Sequence, residues 1–138
     1  MVKGVGRESG EVTIDEAKQL IQDGTPRELV QNKRVLVVTP DATRSCPLPM
    51  MIAAVQESFA EIATRIDYMV ALGSHHPMTQ EQILELYGID EQTRRARFAD
   101  STFMNHEWRD PETLVEIGSF SEDEIEERTG GLFRESVR

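Results

Sequence analysis

The sequence has one cysteine, Cys46, in 138 residues, so no intramolecular disulfide framework can form and nothing in the composition points to secretion. No apolar run approaches the about 20 residues that a membrane helix needs. The opening Met-Val-Lys-Gly-Val-Gly is not followed by the apolar stretch of a signal peptide. A cytoplasmic location is therefore expected, with no membrane partner. Basic residues are also scarce. Lys+Arg number 15 against 25 Asp+Glu, a net charge of −10, which repels phosphate backbones and argues against nucleic acid as a partner. There are no internal repeats and no low-complexity tract.

What is present reads as globular. Hydrophobic residues make up 38% and charged residues 29%, a balance typical of folded chains. The length suits one domain or a part of a larger one. Acidity is concentrated in residues 110–127, where Asp110, Glu112, Glu116, Glu122, Asp123, Glu124, Glu126 and Glu127 meet no base within the segment. A solvated acidic face is the expected form of such a run.

Residues 1–11 are Gly-rich and polar, and read as a flexible N-terminus. Residues 12–138 read as a partial α/β domain. Thr13 to Glu16 is a capping box, followed by Ile14, Ala17, Leu20 and Ile21 at helical spacing and closed by Gly24. A short helical segment fits Pro26 to Val30. Arg34 to Thr39 is a β-branched run suited to a parallel strand covered on both faces. Ser45 is placed to cap the next helix, which the pattern extends to about Thr64, with Met51, Ala54, Val55, Phe59 and Ile62 buried. The second strand is Tyr68 to Leu72, giving a right-handed strand–helix–strand crossover. Thr79 to Gln82 caps a third helix ending at Gly88, and Asp90 to Arg97 continues as a helical turn. Thr102 to Asn105 and Leu114 to Gly118 are expected as the third and fourth strands, and Ser121 to Glu124 as a final capping box. The fold expected is Rossmann-like α/β, a mostly parallel sheet with flanking helices, incomplete at the C-terminus.

Open α/β sheets bind ligands beyond the carboxyl ends of their strands. Two loops occupy that position, Thr39 to Arg44 and Gly73 to Pro77. In the first, Asp41, Thr43 and Arg44 precede a helix N-terminus, where free N–H groups attract anions. Arg44 adds a planar fork for carboxylate or phosphate. A purely structural Asx-turn held by an Arg44–Asp41 salt bridge is the competing reading. In the second loop, Gly73 allows a turn or close approach of the backbone to a ligand. His75 or His76 can face the same cleft, and an imidazole suits acid/base work near neutrality. A His bonded to a backbone carbonyl in a tight turn is the structural alternative. Nothing in the spacing of His75, His76 and His106 demands a metal site. Cys46 reads as buried and structural, Trp108 as a packed aromatic, and the six Met residues as core filler.

The two loops together resemble the N-terminal region of the lactate racemase family, the enzymes that use a nickel-pincer nucleotide. That family shows a strand, Asp-x-Thr-Arg-Pro, a helix, and a strand ending in Gly-Thr-His-Arg-Pro. This chain has Asp41-Ala-Thr43-Arg44-Ser45 and Gly73-Ser74-His75-His76-Pro77, in the same order and spacing. Thr79 to Gln82, Asn105-His106, Asp110-Pro111 and Leu114 to Gly118 also fit, so the similarity covers roughly residues 30–138. Ser45 replaces proline, Ser74 replaces threonine and His76 replaces arginine. The second histidine, the cofactor-tethering lysine and the nickel-ligating histidine of the family fall beyond residue 138.

The resemblance implies racemisation of a 2-hydroxy acid by hydride transfer to the pyridinium ring of the cofactor. It makes His75 one of two acid/base histidines. It assigns Asp41, Thr43, Arg44, Gly73, Ser74 and His76 to binding of the substrate or a cofactor anion. The 138 residues alone are expected to be inactive and to retain no cofactor. An uncovered sheet edge is expected to drive homo-oligomerisation. Two rival readings remain: a small Rossmann-like module that binds a nucleotide or organic anion without catalysis, and a metal-dependent hydrolase using the His pair.

Overall fold

A computed structural model describes residues 4–137; residues 1–3 of the expected flexible N-terminus lie outside it. The chain divides into two compact units, one ending at His106 and the other beginning at Glu107.

The first unit contains α1 (Ile14–Gly24), α2 (Arg27–Val30), β1 (Arg34–Pro40), α3 (Leu48–Phe59), β2 (Arg65–Ala71), α4 (Gln80–Leu86), α5 (Glu91–Arg97) and β3 (Phe103–Asn105). The three strands form one parallel sheet in the order β1-β2-β3. This is the α/β class expected from the sequence. Local chemistry sets most of the helix starts. Thr13 and Thr79 close the expected capping boxes with Glu16 and Gln82, and the Asp90 carboxylate accepts from the Thr93 N–H at 2.7 Å to open α5. Gly88 ends α4 at φ +65°. A Cβ there would also stand 3.0 Å from that of Pro49, so both backbone conformation and packing require glycine.

The core lies on one side of the sheet. Tyr68, Val70, Ile66 and Phe103 from the strands pack with Leu48, Ile52 and Phe59 of α3 and with Ile83, Tyr87 and Phe98. Four aromatics meet there. Tyr68 stacks on Phe103 with centroids 5.3 Å apart, and Phe98 meets Tyr68 edge-on at 5.9 Å. Most buried polar side chains are bonded, the Ser58 hydroxyl being an exception. The Tyr68 hydroxyl donates to Gln56 Oε1 at 2.8 Å, Gln56 Nε2 donates to the Arg97 carbonyl at 2.6 Å, and the Thr39 and Tyr87 hydroxyls meet at 2.8 Å. Burial raises the pKa of both tyrosines, so their hydroxyls stay protonated donors.

Helix α3 starts at Leu48, not after Ser45, with Pro47 in the cap position and no capping side chain. The Cys46 carbonyl accepts from the Leu48 N–H at 2.7 Å in a tight turn, and the first helical bond runs from the Met51 N–H to the Pro47 carbonyl at 3.0 Å. The helix ends at Phe59 rather than near Thr64. The Ile62 carbonyl accepts from the Asn32 N–H, and the Thr64 N–H donates to the Lys33 carbonyl, both at 2.8 Å; these bonds draw the chain into the sheet. Its core face uses Ile52 where Met51 was expected. Strand β1 is not covered on both faces, since Leu36 and Val38 are 50% and 59% exposed at the sheet edge.

The second unit carries a 3-10 turn (Pro111–Thr113), α6 (Glu122–Arg128) and a single antiparallel bridge between Phe120 and Val137. Leu114 to Gly118 is not a strand. Within this unit the segment has no second strand to take its backbone groups, and Ile117 is fully exposed. The acidic run is not without a base: Arg134 reaches Asp123 at 3.3 Å, Glu126 at 3.4 Å and Glu122 at 3.8 Å. Trp108 stacks its ring beneath the Arg109 guanidinium, 4.8 Å from the centroid.

Candidate functional site

The parallel register pairs Thr39 with Val70 and Pro40 with Ala71. The two loops therefore leave the sheet side by side at the carboxyl ends of β1 and β2. They enclose a cleft of about 250 Å³ lined by Asp41, Thr43, Arg44, Gly73, Ser74 and His75, over a floor of Pro40, Ala71 and Leu72. Six of the seven sequence-predicted positions meet there. His76 is exposed and does not line the cleft, and neither does His106.

Asp41 is the anchor of this cleft. Its side chain is 11% exposed, whereas that of His75 is 52% exposed. Asp41 Oδ1 accepts from the Thr43 N–H at 3.1 Å and from the Thr43 hydroxyl at 2.6 Å. Asp41 Oδ2 pairs with His75 Nδ1. The hydrogen bonds from Thr43, then that from His75, outweigh burial and hold the Asp41 carboxyl at about 2, well below its ordinary value. It is an ionised acceptor throughout the neutral range.

The Asx-turn expected as a structural alternative is thus real, but the Arg44–Asp41 bridge is not. Among the described residues no carboxylate pairs with Arg44, which lines the cleft and is exposed. Backbone geometry fixes the second loop. Gly73 has φ +58°, and the His75 N–H donates to the Leu72 carbonyl at 3.0 Å. The far side of the loop is clamped by Asn105. Its Oδ1 accepts from the Met78 N–H at 3.1 Å, and its Nδ2 donates to the Met78 carbonyl at 2.8 Å. Sequence reasoning gave Asn105 no such role. Its place at the end of a strand, opposite a loop rich in functional groups, was the available signal.

The cleft is lined by no residue of α3, so the helix-terminus anion site expected from the sequence gives way to loop side chains and Arg44. Cys46 is half-buried and packs against the core. A larger cavity of about 460 Å³ lies at the opposite end of α3, between Gln22, Arg27, Ser58 and Ile62. It holds no histidine, and its Glu57 is already paired with Lys18 at 2.8 Å and with Arg97. Among the described residues no three His, Cys, Asp or Glu side chains come together to hold a metal ion.

A family model described as the lactate racemase N-terminal domain matches residues 4–125. The chain belongs to that family. The crystal structure of a Thermotoga maritima protein, solved by a structural genomics consortium, superimposes with a TM-score of 0.71 at 26% identity, over 91% of this chain and 29% of that one. The chain therefore spans under a third of the length of that solved protein. No curated protein matches it. No helix among the described residues is long and apolar enough to cross a membrane.

Proposed function

We propose that residues 4–137 form part of an isomerase that racemises or epimerises a small 2-hydroxy acid, and that the cleft between β1 and β2 handles the carboxylate and hydroxyl of that substrate. The observation that carries this reading is the pairing of an uncommitted guanidinium, Arg44, with an imidazole, His75, in one cleft at the strand ends. Membership of the lactate racemase N-terminal family supports this choice of reaction class.

Arg44 binds the substrate carboxylate, or an anionic group of the cofactor, through its planar fork. Thr43 and Asp41 shape the loop that carries it. His75 takes the proton of the substrate hydroxyl and returns it, as a general base and then a general acid. Gly73 and Ser74 bring the loop backbone to the ligand, with His76 at the loop's outer side. The cofactor expected in full-length family proteins is a nickel-pincer nucleotide, which when bound supplies a pyridinium ring that accepts hydride. The donor set here suits the anionic or hydroxylated part of such a ligand, through Arg44, Ser74 and His75. It does not suit the metal itself, which would need ligands from elsewhere.

The test is a racemisation assay on a full-length protein carrying this segment, with lactate and other 2-hydroxy acids. His75→Ala is expected to lower the rate by roughly 10²–10⁴, the usual range for a lost general acid/base. His76→Ala is expected to do much less. Absence of racemisation with every 2-hydroxy acid, together with retained anion binding at Arg44, would replace this reading with that of a non-catalytic binding module. The 138-residue chain alone is expected to show neither racemisation nor stoichiometric nickel.

A further inference from the structure

We propose that Asp41 is a positioning residue for His75, holding the imidazole in the Nδ1–H form so that Nε2 is the nitrogen that exchanges protons in the cleft. The proton-exchange half of this statement rests on the reading of His75 given above; the tautomer half stands on geometry alone.

Asp41 lies at the cleft but is poorly suited to bind an anionic substrate. It is itself anionic, and like charges at a shared site repel. Both of its oxygens already have donors from the chain. Thr43 contributes two to Oδ1, which fixes the plane of the carboxylate, and this leaves Oδ2 directed to His75 Nδ1. An ionised carboxylate carries no proton, so the hydrogen between them must sit on Nδ1. In a neutral imidazole one nitrogen is a donor and the other an acceptor, and the partner of the first decides the role of the second. Nε2 is then the basic nitrogen of a half-exposed ring whose other side is tethered to a nearly buried group. The tether joins residues 34 apart in sequence, across the β1–β2 register that ends at Pro40 and Ala71. Thr43, on this view, acts through Asp41 rather than on the ligand.

Two readouts separate this inference from the proposed activity. The first needs no catalysis. In the 138-residue chain labelled at its 3 histidines, long-range proton–nitrogen correlation spectra reveal which ring nitrogen is protonated once the rings are neutral. His75 is expected in the Nδ1–H form, with His76 and His106 as exposed references. Asp41→Ala is expected to shift His75 to the Nε2–H form, and Thr43→Val to do so only in part. A wild-type His75 in the Nε2–H form would overturn the inference even if Asp41→Ala failed to fold. So would a tautomer unchanged in a folded Asp41→Ala. The second readout is kinetic, in a full-length protein. Asp41→Asn is expected to reduce kcat on the order of 10–100-fold, the usual cost of losing a residue that orients a functional histidine, with KM changed by less than about threefold. A change confined to KM would instead make Asp41 a ligand-binding group. If no 2-hydroxy acid is racemised at all, the proposed function fails while the tautomer result still decides the role of Asp41.

Discussion

Thr79 and Ser121 open helices of the same 7-residue length with the same capping box, one in each unit. The first helix buries Ile83 completely and continues into the aromatic core through Tyr87. The second buries nothing. The contrast extends to the units themselves. Every buried residue among those described lies at or before Phe103, while residues 107–137 have none, and Val115, Ile117, Leu132 and Phe133 are exposed. A capping box therefore fixes where a helix begins irrespective of what the helix packs against. Long-range burial is a separate property, and only the first unit has it. The candidate site sits entirely in that unit, on loops anchored by paired strands.

Substitutions matched across the two units can break this contrast. The largest expected effect is at Phe103, stacked on Tyr68. Phe103→Ala should cost about 3–5 kcal/mol in denaturant unfolding, as for a large aromatic removed from a core. Phe133→Ala, 65% exposed in the wild type, should change stability by no more than about 0.5 kcal/mol. Similar costs at both positions would mean that the second unit has a core after all.

Acid comes next. The Asp41 carboxyl sits at about 2 in the fold against an ordinary 3.8. A lowered folded value contributes stability that is fully present above the ordinary pKa and is lost as pH falls through the folded one. Unfolding followed from pH 5 to pH 2 should therefore show a decline between about pH 4 and pH 2 that Asp41→Asn makes shallower, the remainder coming from other carboxylates held below their ordinary values, Glu57, Asp67 and Asp90 among them, with backbone signals of residues 41–44 and 72–75 the ones that Asp41→Asn protects. A decline unaltered by Asp41→Asn would place the acid sensitivity elsewhere.

The caps give the next effect. Thr79→Ala should cost about 1 kcal/mol of cooperative stability. Ser121→Ala should reduce helicity at residues 122–128 without moving the main unfolding midpoint. Smallest is Arg134→Ala, which removes the base from Glu122, Asp123 and Glu126. An exposed network of this kind is worth about 0–1 kcal/mol, seen as a loss of structure at α6 that salt masks.

Features legible in the sequence were those written in adjacent residues. The capping boxes at Thr13, Thr79 and Ser121, the glycine stop at Gly88 and the β-branched run from Arg34 to Thr39 all depend on neighbours within a few positions. The convergence of Arg44 and His75 followed from one topological rule about parallel strands. The partner of Asp41 did not, because an Asp beside an Arg in sequence suggests a local bridge, and only the register of β1 on β2 brings in His75 instead. Arg134 among the acids and Asn105 on the Met78 backbone are likewise hidden, because their partners lie 11 and 27 positions away in sequence. The start of α3 is different: the capping preference of Ser45 is visible in the sequence, but the chain makes a further tight turn from Cys46 to Leu48 before its first helical bond. The alternating Leu114 to Gly118 looked like a strand, but periodicity cannot show whether a pairing partner exists.

The most direct measurement is a titration of the 15N-labelled 138-residue chain with lactate and pyruvate, followed by amide and Arg side-chain chemical shifts. Perturbations are expected to concentrate at residues 40–44 and 72–75, and to be lost in Arg44→Ala and weakened in Arg44→Lys, because an ammonium cannot reproduce the bidentate fork. Perturbations that survive Arg44→Ala, or that map to the cavity lined by Gln22, Arg27 and Ser58, would contradict the placement of the substrate carboxylate in the cleft between β1 and β2.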